Sequence, residues 1–172
     1  MTRDKAVVLS RPVIQILTVL NLLYAAAIAI LLIASFVLND WLWKALGFDQ
    51  PDMSANIPMA LRTVVVIGIV GAAVVHTLLR RLLAIVDSVR DGDPFVADNA
   101  LRLREIAWRV LVLELLRWAV HAVAATVVFA GKPLHWGGAF SFTPWLAILL
   151  LFVLAGVFAH GARMRADLEG TV

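Results

Sequence analysis

Apolar residues along this chain gather into four long blocks, none showing the strict alternation of a half-buried strand. The first runs from Pro12 or Val13 to Leu38 and is interrupted only by Gln15, Thr18, Asn21 and Ser35. The second runs from about Ile57 to Leu79, with Arg62 near its start. The third, from about Ile106 to Ala130, holds Glu114, Arg117 and His121; the fourth, from Pro144 to about His160, is short but almost purely apolar. A bilayer core takes about 20 helical residues, so each block is of spanning length or close to it. Backbone polar groups in lipid must be satisfied within the segment, which makes such runs helices and not barrel strands. Pro58 and Pro144 suit the first turn of a helix, where a missing N–H costs nothing. The first block is too long for a signal-peptide core, and no A-x-A-like cleavage site follows it. The predicted fold is all-α, an integral membrane four-helix bundle. It forms a single transmembrane domain over residues 1–172, with spans at about 13–38, 57–79, 106–130 and 144–160.

Between the second and third blocks the helical pattern continues outside the apolar limit. Leu82, Leu83, Ile85, Val86 and Val89 recur at three-and-four spacing, with Arg80, Arg81, Asp87 and Arg90 between them. The stretch "RDGDPFVADNALRLRE" then closes the connection. Gly92 suits a left-handed C-terminal cap, Pro94 cannot continue the helix, and Asp98 or Asn99 can cap the next one. The pattern predicts a helical hairpin extension over 80–105 whose first arm, eleven residues long, reaches about 16 Å beyond the bilayer at about 1.5 Å per residue.

Composition supports the membrane reading and removes others. The chain of 172 residues is 62% hydrophobic and 16% charged, well outside the usual balance of a soluble domain, and it is too short to hide that much apolar surface. It contains no Cys, which excludes disulfides and thiolate metal sites. The pI near 10 reflects where Lys and Arg fall. Arg3, Lys5, Arg11, Arg80, Arg81, Arg90, Arg102, Arg104, Arg109, Arg163 and Arg165 belong to one side; Lys44, Arg62 and Lys132 belong to the other. Eleven against three is a positive-inside signal that places both termini and the hairpin in the cytoplasm, with the chain in a plasma (inner) membrane. Trp41, Trp43, Trp136 and Trp145 then mark the outer interface and Trp108 the inner one. Direct nucleic-acid binding is not expected, because no basic helix is free of acids. Of the outer loops, 39–56 includes "WLWKALGF", which fits a short interfacial helix, and 131–143 is turn-rich.

Candidate chemistry is sparse. Glu114, Arg117 and His121 fall at i, i+3 and i+7 on one face of the third span. A charge at mid-bilayer costs roughly 2.5–3.5 kcal/mol on insertion scales, so this intramembrane polar cluster should face the bundle interior. Either Glu114 and Arg117 satisfy one another as an ion pair with His121 bonded to a neighbouring helix, or the three side chains form a proton relay or sensing site, or the third span is shifted and Glu114 sits near the interface. His76, His121 and His160 lie at different predicted depths, which argues against a metal site. No cofactor is expected, and no nucleophile, P-loop, zincin or dinucleotide motif occurs. Gly68 and Ala72, Ala25 and Ala29, and Ala155 and Ala159 are small-xxx-small pairs that fit close packing inside one bundle, with a homodimer seam as the competing reading. In the inner loop, Asp91, Gly92, Asp93, Pro94, Phe95, Asn99, Arg102 and Arg104 form either a solvated turn or a cytoplasmic interaction surface. Phe95 is the apolar residue that the turn itself does not require. Arg80 and Arg81 are placed to rest on anionic lipid.

"VRDGDPFVADNALRLREIAW" resembles the inner loop of a bacterial membrane family catalogued as domain of unknown function 2975. The matching positions are Gly92, Pro94, Phe95, Asn99, Leu103, Arg104 and Ile106. The ending "VFAHGARMRADLEGTV" is similar to the family's C-terminal motif at Phe158, Gly161, Arg163, Glu169, Thr171 and Val172, and departs from it at Ala166-Asp167, where a doubly acidic pair is expected. The resemblance implies four spans, no established enzymatic activity, and a frequent genomic companion, a small helix-turn-helix transcription regulator. The expected function is therefore a non-enzymatic, multi-pass inner-membrane protein that acts as regulatory or sensory partner of such a regulator. The alternative is a small transporter or channel-like subunit using the Glu114, Arg117 and His121 face.

Overall fold

The computed structural model describes residues 3–38, 57–91, 96–126, 128–129, 132–133 and 141–169. Four helices account for nearly all of them: α1 (Arg3–Val37), α2 (Ile57–Arg90), α3 (Ala97–Ala125) and α4 (Thr143–Glu169). Two-residue strands β1 (Val128–Phe129) and β2 (Lys132–Pro133) pair antiparallel in the α3–α4 connection, with Val128 opposite Pro133. The fold is all-α, as the periodicity predicts. α1, α2 and α4 are long and apolar enough to cross a membrane. α3 carries Arg109, Glu114 and Arg117 in its apolar part and ends at Ala125, so it lacks an equally long uncharged stretch.

Helix limits differ from the apolar blocks in informative ways. α1 starts at Arg3, nine residues before Pro12, and holds that proline inside, where one helical hydrogen bond is lost. The third block is shorter as a helix than expected, because the chain leaves α3 at Thr126, whose N–H still reaches Val123 O at 3.1 Å. α4 runs on past the apolar block through Arg163 to Glu169, so the C-terminal motif up to Glu169 is helical. Thr171 and Val172 lie outside the described residues, as do "WLWKALGF", Trp41, Trp43 and Trp136. Val96 precedes α3 with an extended backbone and no side-chain cap. The expected cap at Asp98 or Asn99 is thus corrected: both lie within the first turn, where Asp98 favours the positive helix end and sits 3.7 Å from Arg102.

Helices pack in chain order. α1 lies on α2, α2 on α3, and α3 on α4, while other helix pairs touch only marginally. Among the described residues, buried apolar positions are few and mostly small or aliphatic: Ile14 on α1, Ile57, Ala60, Ala72 and Leu79 on α2, Ala100, Leu103, Ile106, Ala107 and Ala124 on α3, and Ile148 and Ala155 on α4. Outward faces are coated with Leu, Ile and Val, among them Leu23, Ile30, Leu150 and Val157. That is the inverse of a water-soluble surface, where contiguous apolar area is small. The small-residue pairs serve these seams. A side chain at Gly68 would meet Ile28 Cδ1 at 3.4 Å and the Tyr24 hydroxyl at 3.5 Å, so α1 closes on α2 over this glycine. Ala72 and Ala155 are buried in the same way, consistent with small residues letting helix backbones approach.

Candidate functional site

Polar side chains in this apolar frame fall into three groups. Near the start of α2, Arg62 donates to the Ser35 carbonyl (Nη2, 2.5 Å) and hydroxyl (Nε, 3.2 Å) on α1, and its guanidinium lies 4.3 Å over the Phe36 ring. The last turn of α1 is thereby tied to α2, and a carbonyl left over at a helix end gains a donor. Halfway along, the Asn21 amide of α1 donates to Ala72 O of α2 at 3.0 Å.

The second group contains the expected cluster. Glu114 is only 5% exposed. Its carboxylate accepts from Arg117 Nε at 2.9 Å and Nη2 at 2.5 Å, and from the Trp118 indole N–H at 3.2 Å. This is a bidentate fork, the strong form of an ion pair, and both donors lie on the same helix one turn away. The structure brings Glu114 and Arg117 together. His121 stays on the same face, half-buried, and makes no hydrogen bond to another described residue. Arg117 also lines a cleft of about 250 Å³ between α1, α2 and α3, with Asn21, Tyr24, Gly68, Gly71 and Ala72 among the other walls. Sequence spacing revealed the pair. The indole came as an extra donor, because Trp118 reads from sequence only as another apolar residue. His76, weighed from sequence only as a metal ligand at a different depth, has its Nδ1 buried with no hydrogen-bond partner among the described residues.

The third group lies at the hairpin. Glu105 receives Arg81 at 2.6 Å and Arg109 at 3.2 Å, and Arg109 also donates to the Thr77 hydroxyl at 3.0 Å. Nearer the turn, Asn99 is fully buried (0% exposed). Its amide donates to Ser88 Oγ at 2.6 Å and its oxygen accepts from Arg102 Nη1 at 2.9 Å; Arg102 reaches on to Ala84 O at 3.4 Å. Asn99 and Arg102, expected in the interaction loop, are therefore a clasp that holds the two arms together. Arg104, by contrast, is exposed. Arg102 does not pair with Glu105 as spacing alone allows, because Glu105 is occupied from α2 and by Arg109. The arms do not project alone: Asp87 lies 3.5 Å from Arg11 of α1, and α1 itself continues back to Arg3. Asp91 forms the first turn residue after α2, its N–H bonded to Asp87 O at 3.0 Å. Gly92, Asp93, Pro94 and Phe95 lie outside the described residues. On α4, Phe158 and Gly161 fall on the helix, and Arg163 donates to Ala159 O at 3.4 Å.

Neither a curated protein nor a solved structure matches the chain. One family profile does, described as "Protein of unknown function (DUF2975)" and aligned over residues 41–172, from just after α1 to the C-terminal residue. That region holds the hairpin, the Glu114 pair and α4, and the chain belongs to this family of unknown function.

Proposed function

We propose that the protein is a non-enzymatic, four-span membrane protein that presents the α2–α3 turn to a cytoplasmic partner. The partner that the family's genomic setting implies is a small helix-turn-helix transcription regulator. One observation carries the reading: the arms are clasped at their far end by Asn99, Ser88 and Arg102, with a second ionic link at Arg81, Glu105 and Arg109. A connection that only joined two spans would gain little from a fully buried asparagine at its end. Arms held in one geometry fix where the connection between them begins and ends, which lowers the ordering entropy lost when something docks there. The positive-inside distribution supports the cytoplasmic side for that turn. Supporting a non-catalytic role, the buried carboxylate of Glu114 is occupied by three donors.

The test is co-purification of a small helix-turn-helix regulator, of the class that the resemblance implies, with the intact detergent-solubilised protein. Retention should fall at least tenfold in a Pro94→Ala/Phe95→Ala double variant, as expected for loss of an apolar anchor. Equal retention by both proteins, or none by either, contradicts the docking role.

A transport role is the second reading, favoured by one observation: Arg117 of the buried pair also lines the cleft that Asn21 and Tyr24 share.

A further inference from the structure

The arginines of the hairpin region differ sharply in how they are satisfied. Arg81, Arg102 and Arg109 each have carboxylate, hydroxyl or carbonyl partners. Arg80, Arg90 and Arg104 are exposed and have no ion-pair or hydrogen-bond partner among the described residues, and of the three Arg104 is the one on α3. Its neighbours on the same face of α3 are Leu101, 60% exposed, and Trp108, 53% exposed. A cation between two outward-facing apolar side chains fits one environment in a membrane protein, the boundary between headgroups and acyl chains.

The neighbouring helix completes the setting. Trp108 meets Phe152 of α4 edge to face, with ring centroids 5.5 Å apart. α3 and α4 follow one another through a loop and run antiparallel. One turn from Trp108 is Arg104, and one turn from Phe152 in the opposite chain direction is Gly156, so the two are level across the seam. Gly156 faces open space: a side chain placed there would meet nothing within 4 Å. The seam therefore offers an aromatic pair and, one turn toward the N-terminal end of α3, the Arg104 guanidinium with open space at Gly156 beside it.

We infer that this α3–α4 seam is a site for an anionic phospholipid. The phosphate sits at Arg104, and one acyl chain lies along Gly156 and the Trp108–Phe152 pair. Charge complementarity selects the occupant: a zwitterionic lipid carries its own cation and brings no net charge to Arg104, whereas an anionic one does. The inference rests on membrane embedding but not on any docking role for the turn.

The full chain in nanodiscs provides the test, with tryptophan fluorescence quenched by brominated phosphatidylglycerol or brominated phosphatidylcholine. Subtracting the quenching of a Trp108→Phe variant isolates the Trp108 contribution. At Trp108 the anionic lipid should be preferred about fivefold, the scale of one basic side chain at an anionic surface. Arg104→Gln should remove the preference, Gly156→Leu should lower quenching by both lipids, and Arg90→Gln should leave the preference in place. Inorganic phosphate should not compete. Equal quenching by the two lipids, or a preference that survives Arg104→Gln, overturns the site. Competition by inorganic phosphate would make it a free-anion site and also overturn the lipid assignment. If neither lipid quenches any tryptophan, the chain is not embedded, and the site fails with the membrane reading.

Discussion

Asn99→Ala is expected to destabilise the hairpin end by about 1–3 kcal/mol, the cost of leaving buried polar groups without partners. The asparagine is fully buried and joins two elements: it donates to Ser88 on α2 and accepts from Arg102 on its own helix. Alanine would leave the Ser88 hydroxyl with only its bond to Ile85 O, and Arg102 with the longer contact to Ala84 O and its distant pairing with Asp98. Because the loss is local, its clearest sign is faster tryptic cleavage at Arg90, Arg102 and Arg104, beyond any change in the global thermal midpoint. A double-mutant cycle with Ser88→Ala should show coupling, since the two side chains share one hydrogen bond. Additive effects would mean that the clasp is not a unit.

Arg117→Leu is expected to lower the thermal midpoint in detergent by several degrees, and Glu114→Leu/Arg117→Leu to recover most of the loss. Removing one partner of a shielded ion pair strands the other, whereas removing both leaves an apolar helix face that lipid and neighbouring helices accept. If the double variant is as unstable as the single, the pair contributes through packing and not through charge. The same residues separate the two functional readings. A regulatory membrane protein tolerates the double variant, while proteoliposome flux that disappears in Glu114→Gln would establish the transport reading in its place.

Much of the fold was legible because the forces that set it are periodic or additive. Apolar runs with no alternation specify helices in any low-dielectric setting, and Pro58 and Pro144 fall in first turns as their chemistry requires. The i, i+3 spacing of Glu114 and Arg117 was enough to place them in contact. Two kinds of feature were not legible. Helix ends beyond the apolar limit depend on local hydrogen bonding, so α1 runs back through Pro12 to Arg3 and α3 stops at Ala125. Tertiary pairing also overrode local spacing. Arg102 and Glu105 lie within reach of one another on α3, yet Glu105 bonds Arg81 across the hairpin and Arg102 bonds Asn99. Asn99 in particular reads as a cap or a loop residue from sequence. It is buried in the fold, where Ser88, eleven residues earlier in the chain, accepts from its amide.

Which side of the membrane the α2–α3 turn occupies decides whether a cytoplasmic partner can reach it. The chain has no cysteine, so a single Asp93→Cys substitution gives one reactive position. Labelling with a membrane-impermeant maleimide is then compared between right-side-out and inverted membrane vesicles. Labelling is expected in inverted vesicles alone, with an Asn56→Cys variant showing the opposite pattern. Labelling of residue 93 from the outside would contradict the topology, and with it the presentation of the turn between the clasped arms to a cytoplasmic regulator.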